Sequence, residues 1–160
     1  MFLTEDFSGM WGLVLLFMVV MPVLLAAEVR ERSEVPVQYR WNLEDLYPSD
    51  AAWDEAREAI AAEMVGIERF KGRLGLSAAE MLACLEFDSR ISKEFGRLRS
   101  YAAMRCDQDT RDSQALGMRQ QLEQLGTDYH SRASFIVPEI AALEEGKIEE
   151  FLAAEPGLQV

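Results

Sequence analysis

The strongest constraint on this fold is the spacing of its apolar residues, which recur every three or four positions from Asp50 onwards. That spacing places them on one face of an α-helix. Ser49 or Asp50 can cap the first such helix, and Gly72 and Gly75 are natural stops, so we predict a helix from about Asp50 to Lys71. Its predicted buried face consists of Trp53, Ala56, Ile60, Met64, Ile67 and Phe70.

A second helix is predicted to begin after Ser77, because Ser77-Ala78-Ala79-Glu80 matches a capping box. In that motif the serine hydroxyl and the glutamate carboxylate each accept a hydrogen bond from the other residue's backbone amide. The helical pattern slips near Asp88, which predicts either a kink or two separate helices. The predicted buried face contains Met81, Leu82, Leu85, Ile91, Phe95, Leu98, Tyr101 or Ala102, and Arg105.

The polar stretch from Cys106 to Ser113 is predicted to form a turn whose acids cap the next helix. That third helix is predicted to run from about Ser113 to Phe135. The residues predicted to face inward are Leu116, Leu122, Leu125, Tyr129, Ala133 and Ile136.

Two short helices are predicted near the C-terminus, Glu139 to Leu143 and Lys147 to Ala154, the first after Pro138. The sequence shows neither strand alternation nor an internal repeat. The predicted fold is therefore all-α: an antiparallel bundle of three to four long helices plus short C-terminal helices, preceded by an apolar N-terminal segment.

Residues 1–27 form an apolar leader, in which Met10 to Ala27 is an uncharged run of 18 residues. Such a run is at the lower limit for spanning a bilayer and is longer than the apolar part of most signal peptides. Three interpretations stay open: a membrane anchor or uncleaved signal, a non-native extension from a mis-called start, and a cleaved signal. The first positive charges, Arg30 and Arg32, follow the run, which predicts a cytoplasmic location for the domain after it.

The remainder is predicted to consist of a linker, residues 28–38, and one helical domain, residues 39–160. The linker is charged, contains Pro36 and has no periodicity. The formal net charge of the chain is −12. Nucleic-acid binding needs basic patches that displace counterions from phosphates, so we predict no nucleic-acid partner. Cys84 and Cys106 occur singly on apolar patterns, which predicts free, buried thiols.

No catalytic, cofactor-binding or metal-binding residue is predicted in this chain. His130 is its one histidine, and we expect it to lie beside the buried face of the third helix and make one hydrogen bond. Asp107-x-Asp109 resembles the start of an EF-hand loop. However, Asp112 stands where that loop requires glycine, and Met118 where it requires a bidentate glutamate, so calcium binding is not expected.

One segment is too specific to follow from composition: residues 40–48, RWNLEDLYP, which run on into SDAAW. Its large apolar side chains, those of Trp41, Leu43, Leu46 and Tyr47, are predicted to pack against the helices. The segment resembles the opening signature of oligoendopeptidase F and its relatives, the thimet-oligopeptidase-like zinc peptidases. The resemblance continues through residues 70–75, 101–111 and 134–140, and it covers about Val35 to Val160.

The resemblance implies the N-terminal region of a cytosolic, zinc-dependent metallopeptidase that hydrolyses oligopeptides. In that family this helical domain forms one wall of a deep channel over the zinc, and the missing C-terminal catalytic part would be its partner. The zinc ligands belong to H-E-x-x-H, which one histidine cannot supply. We therefore expect a chain truncated before the zinc motif and inactive alone, with no site residue to carry over.

The periodicity alone also permits a second interpretation. A leader, a linker and a helical bundle are equally the parts of a membrane-tethered, non-catalytic module that binds a partner through its acidic faces. Residues 10–27 would then contact the membrane. Only the resemblance favours the peptidase over this module.

Overall fold

The computed structural model describes residues 34–159, which fall into two units divided between Arg40 and Trp41. In the described part of the first unit, Val37–Tyr39 form a 3-10 turn, and Arg40 Nε donates a hydrogen bond to the carbonyl oxygen of Val35 at 2.6 Å. The leader, residues 1–27, and most of the predicted linker lie outside the described residues. The account below concerns the second unit.

Helix α1 spans Asp50–Met64 and continues as a 3-10 helix over Val65–Phe70, so the predicted helix is present but tightens in its last part. The side chain of Ser49 caps its start by accepting from the amide of Ala52. Gly66 lies close against the next helix, since a Cβ there would meet Phe87 Cζ at 3.1 Å. Tightened final turns of this kind are common at helix ends.

Helix α2 spans Ala78–Gln108 without interruption, so the alternative of two separate helices near Asp88 was wrong. The buried face runs through Cys84 and Phe87, which continue the helical spacing where Leu85 appeared to end it. The capping box is only half formed. Ser77 accepts from the amide of Glu80, but the Glu80 carboxylate is paired with Arg73 at 2.7 Å.

Helix α3 spans Ser113–Ala133, and the acid predicted to cap it is Asp112, which accepts from the amides of Gln114 and Ala115. Its buried residues are Ala115, Met118, Leu122, Gly126 and Tyr129. Leu116 was predicted to face inward but is 50% exposed. Ala115 and Met118 occupy the face that Leu116 was expected to fill.

Two short helices follow, α4 over Ile136–Ala141 and α5 over Lys147–Ala154, and a final 3-10 turn covers Pro156–Gln159. The Glu139 carboxylate of α4 accepts hydrogen bonds from the amides of Gly72 at 2.6 Å and Leu74 at 3.5 Å. Gly72 has a φ of +77°, a conformation that favours glycine. The turn before α2 and helix α4 are thereby held together.

The main core lies between α1, α2 and α3, with Trp53 at its centre. Trp53 is 1% exposed, and its indole Nε1 donates to the carbonyl oxygen of Leu98 at 2.9 Å. The segment before α1 contributes Tyr47, which is buried, and Leu43 and Leu46, which are partly buried, as predicted. Trp41 was predicted to pack as well, but it is 52% exposed.

The described residues contain helices and turns and no strand, so the predicted all-α fold is confirmed over residues 34–159. A smaller apolar cluster adjoins the main core, and the partly buried Leu85 and Ile140 pack against both. Its buried members are Ala78, Met81 and Phe151, and it joins the beginning of α2 to α5.

Candidate functional site

A groove of about 540 Å³ runs along the seam between α2 and α3. Pockets that bind small ligands commonly fall between about 300 and 1,000 Å³. Because a short turn joins the two helices, they run in opposite directions, and each supplies one wall. The lining residues are Phe95, Arg99, Ala102, Ala103 and Asp107 from α2, and Arg119, Leu122, Glu123, Gly126, Thr127 and His130 from α3.

The floor of the groove is made by small and apolar side chains. Ala102, Ala103 and Leu122 line its middle, and Gly126 lies against the ring of Phe95. A Cβ added at Gly126 would meet Phe95 Cζ at 3.0 Å, so the glycine allows the ring to lie across α3. This contact also fixes which residues of the two helices face each other, with Phe95 opposite Gly126.

The walls carry charges of both signs. Arg99 and Asp107 project from α2, and Arg119 and Glu123 from α3. None of the four makes an ion pair or side-chain hydrogen bond with another residue between Glu34 and Gln159. The other arginines are engaged in different ways. Arg57, Arg73, Arg90 and Arg105 pair with carboxylates, whereas Arg69 lies over the ring of Phe70 and Arg97 donates to the carbonyl oxygen of Leu46. The groove therefore contains four charged side chains that no ion pair with another described residue neutralises.

A polar network at one end of the helical hairpin fixes its geometry. Asp50, the first residue of α1, accepts from Tyr101 Oη at 2.7 Å and pairs with Arg105 Nη2 at 3.1 Å. Arg105 Nη1 also pairs with Asp112 at 2.8 Å, and Gln114 Nε2 donates to Asp50 at 3.3 Å. The start of α1, the end of α2 and the start of α3 are thus joined through one arginine.

This network shifts the acidity of its members. Burial alone would raise the pKa of Asp50, but the hydrogen bonds from Tyr101 and Arg105 and the charge of Arg105 hold it below its ordinary value. Burial and the hydrogen bond to Asp50 raise the pKa of Tyr101 to about 12. At neutral pH Asp50 is therefore an anion and Tyr101 a neutral donor.

The one histidine lies at the far end of the groove, where it is exposed on α3. Its Nδ1 donates to the carbonyl oxygen of Gly126 at 2.7 Å, which matches the single hydrogen bond predicted for it. Among residues 34–159, no group of three or more His, Cys, Asp or Glu side chains is arranged to hold a metal ion. The prediction that this chain contains no catalytic, cofactor or metal site stays a prediction.

Both cysteines are free and buried, as predicted. Burial, with smaller contributions from the charges of Asp88 and Glu139, raises the pKa of the Cys84 thiol to about 11. The thiolate is the reactive form of cysteine, so Cys84 is a core residue and no candidate nucleophile.

The sequence analysis did not predict the groove, although some of the residues that line it lie in a segment already noted there. Of its lining residues, Ala102, Ala103 and Asp107 belong to the stretch 101–111 that resembles the zinc peptidases. The available signal was the small residues Ala102 and Ala103 on α2 and Gly126 on α3. Only the packing of the two helices shows that these positions line one groove.

The described part of the chain contains no helix that is both long and apolar enough to cross a membrane. Met10 to Ala27, the run for which a membrane anchor is one of three interpretations, lies outside that part.

Comparison with known proteins identifies relatives of this chain, although no family model matches it. Oligopeptidase PepF of Bacillus subtilis is 34% identical over 135 residues, 84% of this chain and 20% of the relative. The chromosomal oligoendopeptidase F of Lactococcus lactis is 29% identical over 112 residues, 69% of this chain and 19% of that protein. This chain thus spans about a fifth of the length of the curated relatives it matches.

Solved structures share the fold of this chain over most of its length. The crystal structure of oligoendopeptidase F from Enterococcus faecium superposes with a TM-score of 0.63 at 27% identity, covering 69% of this chain and 22% of that one. A solved structure from Chlamydophila abortus shares the fold at a TM-score of 0.72, covering 82% of this chain and 22% of that one. Since the similarity extends over most of the sequence and over the fold, the chain belongs to the oligoendopeptidase F family.

Proposed function

We propose that this chain is the N-terminal region of a zinc-dependent oligoendopeptidase and forms one wall of the channel that admits short peptides. The observation that carries the proposal is the 34% identity to Oligopeptidase PepF over 84% of the chain. The activity of such an enzyme belongs to the whole protein, and this part is inactive alone.

The histidine content of the sequence supports a non-catalytic role for this part of the enzyme. Zinc peptidases of this family hold the metal with H-E-x-x-H, two histidines one turn apart on a helix and a glutamate that activates water. Here His130 is followed by Ser131 and Arg132, and it is the one histidine in the sequence. The residues present do not fit a zinc site, so no chemical step is assigned to them.

Exposed apolar side chains support the existence of a polypeptide partner. Leu76 and Val137 are 68% and 75% exposed, and Val65 and Leu116 are about half exposed. If the domain packs against the rest of a larger protein, these are the apolar side chains that the partner would cover. In a longer relative, the remaining four fifths of the protein is available to cover them.

Reconstitution tests the proposal directly. The remainder of Oligopeptidase PepF, without the region matched here, would be mixed with this chain and assayed with a quenched fluorescent oligopeptide. We expect cleavage in the mixture that a zinc chelator abolishes, and little cleavage by either piece alone. A mixture that forms a complex but cleaves no faster than the remainder alone would contradict the proposal.

The isolated chain provides a second test. We expect less than stoichiometric zinc after dialysis and no peptide hydrolysis, because one imidazole cannot make the site. Zinc near one ion per chain, or chelator-sensitive cleavage by this chain alone, would be incompatible with a purely supporting role.

A membrane-tethered, non-catalytic interaction module is the second candidate function, and the uncharged run Met10 to Ala27 favours it. Under this proposal the chain stays with membranes after high-salt and carbonate washing. Arg30 and Arg32 then hold the helical domain in the cytoplasm. Release by these washes would exclude the anchor, and activity of a periplasmic reporter fused to the C-terminus would exclude the cytoplasmic location.

A further inference from the structure

We propose that the groove between α2 and α3 binds the two free ends of a short peptide. Its C-terminal carboxylate lies between Arg99 and Arg119, and its N-terminal ammonium lies at Asp107. The inference rests on the proposed function, because it assigns the peptide to one surface of the proposed channel wall.

The two arginines supply the carboxylate site. They project from opposite walls, and neither is paired with an acid among the described residues. The register set by Phe95 and Gly126 places Arg99 and Arg119 within about one helical turn of each other along the seam. Guanidinium groups bind carboxylates through paired, charge-assisted hydrogen bonds, so two unpaired arginines facing one groove favour that ligand group.

Asp107 supplies the binding site for the N-terminal ammonium of the peptide. It follows Arg99 by eight residues on the same helix, which corresponds to about 12 Å at 1.5 Å per residue. An extended peptide advances about 3.3 Å per residue, so three or four residues separate an ammonium at Asp107 from a carboxylate at Arg99. Asp107, like the arginines, makes no ion pair with another described residue.

The remaining lining explains why a zwitterion fits better than a simple anion. Glu123 lies one turn beyond Arg119 on α3 and balances part of its charge, and the whole chain is acidic at −12. A polyanion would be repelled by Glu123 and Asp107. The floor of Ala102, Ala103 and Leu122 is apolar and accepts small aliphatic side chains between the two charged ends.

The test uses the full chain, labelled for NMR, and three forms of one probe: tetraalanine with free termini, its C-terminal amide and its N-acetyl derivative. We expect the free peptide to shift the backbone signals of residues lining the groove. Each capped form should bind about tenfold more weakly, the loss expected when one charged contact of about 1.4 kcal/mol is removed.

Substitutions in the groove test which residues bind each end of the peptide. Arg99→Gln with Arg119→Gln should weaken the free peptide about tenfold and leave the amide unchanged. Asp107→Asn should do the same for the free peptide and leave the N-acetyl form unchanged. Lys93→Gln, an exposed cation on α2 outside the groove, is the matched control and should change affinity less than twofold.

The outcomes separate this inference from the proposed function. Equal binding of free and capped peptides, shifts outside the groove, or no binding of any form would overturn the inference. If reconstituted peptidase activity is unaffected by the groove variants, the proposed function stands and the groove is not its peptide site. If the peptide binds in the groove but activity is not reconstituted, the groove site stands and the proposed function fails.

Discussion

The two apolar clusters of the helical unit are built differently. The main core draws buried residues from α1, α2, α3 and the segment before α1, so many contacts surround Trp53. The smaller cluster has three buried members, and α5 contributes only Phe151 to it. Because stability is distributed unevenly across a fold, the first cluster should control global unfolding and the second a local opening.

The largest expected effect is at Trp53. Replacing a buried tryptophan by alanine removes its packing and leaves a cavity, so Trp53→Ala should lower the free energy of unfolding by about 3–5 kcal/mol. Trp41→Ala is the matched control, because Trp41 is half exposed, and it should change stability by less than about 0.5 kcal/mol. Denaturant unfolding measures both. Equal losses in the two variants would show that the main core is not centred on Trp53.

Phe151→Ala tests the smaller cluster. Its loss should detach α5, so amide exchange in Lys147–Ala154 should become fast. The free energy of global unfolding should fall by less than about 3–5 kcal/mol, the cost of removing a core aromatic side chain. Hydrogen exchange read residue by residue distinguishes the two clusters. If exchange accelerates equally in α1, the clusters form one cooperative core.

The polar network gives a pH-dependent effect. Because the folded pKa of Asp50 is held below its ordinary value, its carboxylate stabilises the fold above about pH 4, and that contribution disappears as the pH falls through the lowered value. Asp50→Asn should therefore cost about 1–2 kcal/mol at pH 7 and progressively less in acid.

Glu55→Gln, an exposed acid on the same helix, is the control for Asp50→Asn and should be nearly neutral. Unfolding of wild type and both variants between pH 7 and pH 3 provides the measurement. A loss for Asp50→Asn that does not shrink in acid would show that the network stabilises α1 by shape and not by charge.

The smallest expected effect concerns the cap of α2, close to the smaller cluster. Ser77→Ala removes the hydroxyl that accepts from the amide of Glu80, which should cost about 1 kcal/mol. Ser92→Ala, on an exposed position of the same helix, is the control and should cost less than about 0.5 kcal/mol. Thermal unfolding of the two variants checks the difference, and equal melting temperatures would mean that the cap contributes nothing.

Local patterns predicted most of the helices because caps and stops act within a few residues. Ser49, Ser77 and Asp112 cap α1, α2 and α3, and Lys147–Ala154 was predicted with its observed bounds. The groove could not be predicted in this way. Arg99 and Arg119 are distant in sequence, and their approach depends on how α2 packs against α3.

The errors share one physical cause. Leu116, Trp41 and the break at Asp88 were assigned from hydropathy along one segment, but burial depends on which partner surface is present. Met118 and Ala115 face α2, so Leu116 turns outward, and Cys84 and Phe87 carry the buried face of α2 past Asp88. A weakly apolar residue can face a partner while a strongly apolar neighbour does not.

The sequence by itself determined the all-α fold, the starts of α1, α2, α3 and α5, and the resemblance to oligoendopeptidase F, since each depends on short-range spacing or on matched motifs. The start of α4 was predicted at Glu139 and lies at Ile136. Tertiary structure decided which charges were neutralised. Arg105 and Asp50 are 55 residues apart and meet in the core network, whereas Arg99 and Arg119 reach an open groove with no acid in contact. Charge pairing requires atoms within a few ångströms, and only the packing of helices brings distant residues that close.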